Sequence, residues 1–225
     1  MTAIRIVFLG DSITHGVGDA RGIGWPGRLS ERARQNGDDP TCYNLGIRGD
    51  TSALIAARWR AECAARLPRE AWRAILFSFG LNDATRVDGT LRVPLPRSEE
   101  IARTMIAEAR TLAPVLWIGP TPVDDSTQPL LSSLGILQTK RNAETARYDA
   151  CFRHIAGQLG VPYLSLFDAL ARVPKWPGLL CDGVHPTAEG YDIMAAAIDE
   201  WPAWRALFEA PELNVKPVTT GGTSK

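Results

Sequence analysis

Short apolar runs alternate along this chain with longer stretches in which apolar residues recur at helical spacing. The runs Ile4–Leu9, Thr41–Leu45, Ala74–Phe79, Pro114–Ile118 and Val161–Leu166 predict strands. Each is apolar through most of its length, as expected of strands buried on both faces of a parallel sheet. Between them, helical patterns cover Trp25–Asn36, Ser52–Leu67, Ser98–Leu112, Thr139–Gly160 and Thr187–Phe208. Strand–helix alternation with crossovers of this size predicts a doubly wound α/β protein. The expected form is a flavodoxin-like, three-layer α/β/α fold with a five-stranded parallel sheet in the order 2-1-3-4-5. No internal repeat or composition break marks a second domain, so a single domain is expected over residues 1–212.

Two segments leave this rhythm. Thr121 to Leu137 is a polar loop with Pro122, Pro129 and Gly135, longer than a usual strand-to-helix turn. It either frames a substrate pocket or forms an irregular surface excursion. Lys216 to Lys225 is rich in Thr and Gly and nearly free of apolar residues, so residues 213–225 read as a disordered tail.

Composition acts mainly by exclusion. The 225 residues include 25 Lys plus Arg and 25 Asp plus Glu, a formal net charge of zero. Such a chain has no overall field to gather nucleic acid or anionic lipid. Hydrophobic residues at 45% and charged ones at 22% are ordinary for a soluble globular protein. No stretch approaches the roughly 20 apolar residues of a membrane span, and the apolar run Ile6 to Leu9 is too short for a signal-peptide core. A cytoplasmic protein is expected. Cys42, Cys63, Cys151 and Cys181 show neither CxxC pairing nor metal-like spacing with histidine, and read as small buried apolar residues.

In an open α/β sheet, ligands bind beyond the carboxyl ends of the strands, near the point where strand order reverses. Four clusters fall there: Gly10 to Gly16, Asn44 to Ser52, Gly80-Leu81-Asn82-Asp83, and Cys181 to Pro186. A serine hydroxyl needs a nearby base to become a nucleophile, and Ser12 stands in the first cluster. The chain has three histidines. His154 lies in a helical stretch, where an exposed or capping role is expected. His15 shares the turn of Ser12 but has no sequence-local carboxylate to orient it. His185 follows Asp182 by three residues, so the carboxylate can meet Nδ1 and leave Nε2 as the base. Asp182 as a turn residue and His185-Pro186 as a helix entry is an equal alternative.

Oxyanion stabilisation calls for backbone N–H groups in tight turns and a side-chain amide donor. Gly46, after the second strand, and Asn82 offer these, or else they are a turn residue and part of a turn-and-cap pair. Asp83 reads as a cap for local backbone N–H groups. Four separate loops thus deliver to one rim the residue types that acyl transfer requires.

These motifs resemble the GDSL family of esterases and lipases, in its SGNH hydrolase branch. Gly10-Asp11-Ser12-Ile13-Thr14 matches the first motif, and Gly46 in Asn44-Leu45-Gly46 the second. Gly80-Leu81-Asn82-Asp83 matches the third, and Asp182-Gly183-Val184-His185-Pro186 the last. The resemblance runs from residue 5 to about residue 200. It implies Ser12 as nucleophile, His185 as base and Asp182 as orienting acid. It also implies an oxyanion hole from the N–H groups of Ser12 and Gly46 with the Asn82 side chain. The expected substrate is a small acyl ester or thioester, and no metal or cofactor is called for.

An acyltransferase using the same acyl-enzyme fits these motifs equally. From a different class, a non-catalytic flavodoxin-like module would use the Gly10–Gly16 turn to cradle a phosphate or nucleotide. That turn lacks both the Gly-x-x-x-x-Gly-Lys and the Gly-x-Gly-x-x-Gly pattern. Arg48-Gly49-Asp50 spells an adhesion tripeptide but directly follows a predicted active-site glycine, so that reading is set aside. Trp25-Pro26 and Trp176 to Leu180 flank the site in sequence, either to receive an acyl chain or as ordinary packing.

Overall fold

Strand β1 (Ile4–Gly10) is buried at every position but Arg5, because it has sheet neighbours on both edges and helices on both faces. The computed structural model describes residues 4–132 and 134–209. Strands β2 (Pro40–Gly46) and β3 (Trp72–Ser78) flank β1, and β4 (Val115–Ile118) and β5 (Tyr163–Leu164) extend the sheet beyond β3. All four pairings are parallel, in the order β2-β1-β3-β4-β5. The predicted fold and strand order are therefore observed. The order reverses beside β1, which places the crevice at the ends of β1 and β3.

The helices are α1 (Ser12–His15), α2 (Gly24–Gln35), α3 (Ser52–Arg66), α4 (Leu95–Ala109), α5 (Asn142–Leu159), α6 (Leu166–Ala171), α7 (Ala188–Asp199) and α8 (Pro202–Arg205). Alternate β1 side chains supply two cores, as the period of two requires. Ile4, Ile6 and Phe8 pack with Trp25, Leu29, Tyr191, Met194 and Trp204. Val7 and Leu9 face Ile55, Trp59, Ile106 and Phe152 on the opposite side. Phe8 meets Trp25 edge-on, with ring centroids 5.3 Å apart at 85°, a favoured aromatic geometry.

The structure departs from the predicted elements where local chemistry overrides periodicity. As an edge strand, β2 is mostly half-exposed rather than buried on both faces. The fifth strand shrinks to two residues because Ser165 turns the chain into α6, its hydroxyl accepting from the Asp168 N–H at 3.0 Å. The long C-terminal helix divides into α7 and α8, since Pro202 has no N–H to continue the ladder. Helix α4 starts at Leu95, directly after Pro94, rather than at Ser98.

A second, antiparallel sheet was not expected. It joins Thr90–Leu91, Arg86–Val87, Leu137–Thr139 and Leu130–Leu131 in that order. The segment read as a long loop thus contributes a hairpin that stands over the crevice. Cys63 is buried as expected, Cys42 and Cys151 are half-buried, and Cys181 is exposed. The predicted tail at 213–225 lies outside the described residues.

Candidate active site

The crevice begins with a glycine that cannot be replaced cheaply. A Cβ on Gly10 would stand 2.1 Å from Thr14 Oγ1 and 2.6 Å from the Ser78 carbonyl. Its absence lets the chain turn at once from β1 into α1. Asp11 caps that turn, its Oδ1 accepting from the Ile13 N–H at 2.9 Å, and Gly16 ends it in the left-handed region at φ 97°. Ser12 is thereby held at the carboxyl edge of the sheet, only 8% exposed.

His185 Nε2 lies 2.9 Å from Ser12 Oγ, across 173 residues of sequence. On its other side, Nδ1 is 2.6 Å from Asp182 Oδ2. Asp182 Oδ1 accepts the N–H groups of Val184 at 3.0 Å and His185 at 2.8 Å, so the carboxylate organises its own loop. Gly183 takes the turn at φ 79°, and the Cys181 N–H donates to the His185 carbonyl at 2.9 Å. Burial pushes the Asp182 carboxyl up, but the His185 ring and the two backbone donors outweigh it and bring it down to about 2. The ionised form thus faces the imidazole.

Asn82 is buried in the turn that follows β3, and its Nδ2 donates to the Asp50 carbonyl at 2.9 Å and to Asp11 Oδ2 at 3.2 Å. Asp83 is a cap, but for a distant segment. It accepts the Ser52 N–H at the start of α3 at 2.7 Å and is bonded by Ser98 of α4. Burial raises its carboxyl above the usual range. The fully buried Asp11 carboxyl is likewise raised, to about 6, chiefly by desolvation.

Gly46 is not placed as expected. Its N–H donates to Asn44 Oδ1 at 3.0 Å, and Asn44 Nδ2 in turn donates to the Thr14 carbonyl at 2.8 Å. A Cβ there would meet the His15 nitrogen at 2.2 Å, so Gly46 serves the close packing of α1 on β2. Gly49, three residues on, lines the crevice instead, at φ 80° with open space where a Cβ would stand. Among the described residues, its N–H meets no acceptor. The signal lay in the Arg48-Gly49-Asp50 tripeptide. Its Asp50 carboxylate is bound by Arg58 Nε at 2.8 Å, and its carbonyl holds Asn82.

The crevice opens into a cavity of about 360 Å³. Leu81 and Val184 lie near its base, and Leu130, Leu131, Leu134 and Ile136 of the hairpin form an apolar wall. Arg92 and Lys140 also line it; neither was singled out in the sequence. His15 and His154 take no part, the latter contacting Gln158 on α5. Trp25 and Trp176 are core residues, away from this wall.

A model of the GDSL-like lipase/acylhydrolase family matches residues 8–193. Among solved structures, a lipase/acylhydrolase from Enterococcus faecalis superposes with a TM-score of 0.73 at 22% identity, covering 91% of this chain and 97% of that one. Axe2, an acetylxylan esterase from Geobacillus stearothermophilus, gives 0.69 at 21% identity, with 88% and 95% covered. A member of the lipolytic G-D-S-L family from Veillonella parvula gives 0.67 at 18% identity, with 87% and 96% covered. No curated protein matches the chain.

Proposed function

Since the chain belongs to the GDSL-like lipase/acylhydrolase family and is a carboxylic ester hydrolase of that type, we propose that it works through an acyl-enzyme on Ser12. The observation that carries this reading is the unbroken Asp182–His185–Ser12 relay, with contacts of 2.6 and 2.9 Å. Ser12 Oγ attacks the acyl carbonyl as its proton passes to His185 Nε2. The imidazolium is stabilised by Asp182, and collapse of the tetrahedral species expels the alcohol or thiol, protonated by His185. Water then repeats the sequence on the acyl-enzyme, releasing the acid and restoring Ser12.

The oxyanion is assigned to the N–H groups of Ser12 and Gly49 and to Asn82 Nδ2. Gly49 takes the role first expected of Gly46, whose N–H is already bound to Asn44. The bond from Asn82 to the Asp50 carbonyl keeps the amide in place. Its longer contact to Asp11, at 3.2 Å, is the one the oxyanion displaces. The hairpin wall supplies apolar contact for the substrate.

Asn82→Ala is expected to lower kcat about 10²–10³-fold, the usual loss for one oxyanion donor. Steady-state hydrolysis of a 4-nitrophenyl ester by the folded variant tests this. Turnover within threefold of wild type would remove Asn82 from the oxyanion hole.

A further inference from the structure

The cavity contains more positive charge than hydrolysis of a neutral ester requires. Lys140 follows the strand Leu137–Thr139 and is only 7% exposed. Among the described residues, its Nζ has one hydrogen-bond partner, the neutral Gln138 Oε1 at 2.9 Å. Arg92 lines the same cavity, and its Nη2 donates at 2.7 Å to a neutral acceptor, the Gly49 carbonyl. Among the described residues, neither cation forms an ion pair with a carboxylate. The acids that influence Lys140 from farther away are Asp11 and Asp182. Asp11 is engaged by Ile13 and Asn82, and Asp182 by the His185 loop.

A buried ammonium without an ionised partner is costly, and proteins ordinarily pair it. Here the protein places that charge in the wall of the cavity that holds Ser12, with a guanidinium sharing the cavity. Burial and Arg92 lower the ammonium to about 8, so it still carries its proton at neutral pH. Resting on the hydrolase reading above, we infer that the cavity selects esters bearing a second, anionic group, received by Lys140 and Arg92. The apolar hairpin wall then covers the neutral part of the same substrate. A charge-assisted hydrogen bond is stronger than a neutral one, and a site built to make it discriminates against a substrate lacking the charge.

The test compares two pairs of esters, each corrected for its rate of hydrolysis by hydroxide. The mono-4-nitrophenyl ester of glutaric acid against 4-nitrophenyl butyrate places the carboxylate on the acyl side. Then 4-acetoxybenzoate against phenyl acetate places it on the leaving group. In at least one pair, wild-type kcat/KM is expected to favour the acidic ester by about tenfold or more. Lys140→Met is expected to lower that ratio roughly ten- to a hundredfold, and Lys140→Arg to restore part of it. The pair that responds identifies the side of the ester that bears the anion.

Ratios near or below one in both pairs would overturn the inference, and this comparison needs no variant to fold. Equal losses on acidic and neutral esters in Lys140→Met would also overturn it, making Lys140 a general support of the catalytic charges. Absence of turnover on all four esters by the folded wild type would instead remove the hydrolase reading, and this inference with it.

Discussion

His185→Ala is expected to reduce kcat for a 4-nitrophenyl ester about 10⁴–10⁶-fold, the scale seen when a triad base is removed. The reason is local. Among the described residues, the basic nitrogen beside Ser12 Oγ is His185 Nε2, at 2.9 Å. His15 is close in sequence, but among the described residues its hydrogen bonds are made by its backbone, with its N–H donating to the Asp11 carbonyl. Removing the imidazole leaves Ser12 at its ordinary, weak nucleophilicity. The fold should tolerate the change, because Asp182 keeps its bonds to the Val184 and residue-185 N–H groups. Unaltered circular dichroism and urea midpoint, beside the lost rate, are therefore predicted. A rate within tenfold of wild type would assign the base elsewhere.

The second large effect is expected at Asp182. Asp182→Asn preserves size and shape but replaces the carboxylate oxygen facing Nδ1 with an amide. An amide nitrogen donates to Nδ1 and so selects the tautomer whose Nε2 carries the proton. That imidazole cannot accept from Ser12, and it forms the imidazolium without a counter-charge. A loss in kcat of about 10⁴-fold is expected, with KM changed far less, since Asp182 contacts His185 rather than the ester. Pre-steady-state acylation kinetics separate this from a binding defect. If KM rises while the acylation rate holds, Asp182 is a loop anchor only.

The layered fold was readable because five apolar runs and the helical patterns between them carry the periods that burial imposes. The small second sheet left almost no such trace, since its strands are two or three residues long. One signal was present: Asp88-Gly89, with φ of 48° and 76°, is the dipeptide favoured at a two-residue hairpin turn. Ser12, Asn82, Asp182 and His185 were legible as candidate site residues because each falls just after a strand or before a helix at the predicted rim. Gly46 illustrates the limit. Two glycines three residues apart end the same strand and its loop, and only the path of the chain tells which N–H is spent on Asn44. Lys140 and Arg92 were illegible for a related reason. Isolated cations in sequence resemble surface charges until the small second sheet forms, with Arg92 following one of its strands and Lys140 another, and brings both to the cavity.

The central claim is that Ser12 is the nucleophile. A fluorophosphonate ester captures such a serine covalently, and intact-protein and peptide mass spectrometry locate the adduct. Wild type is expected to gain one phosphonyl group, on the peptide containing Ser12, in step with loss of ester turnover. Ser12→Ala should gain none. A folded wild-type protein that stays unlabelled and turns over no ester, or one labelled at a different residue as activity falls, would contradict the account.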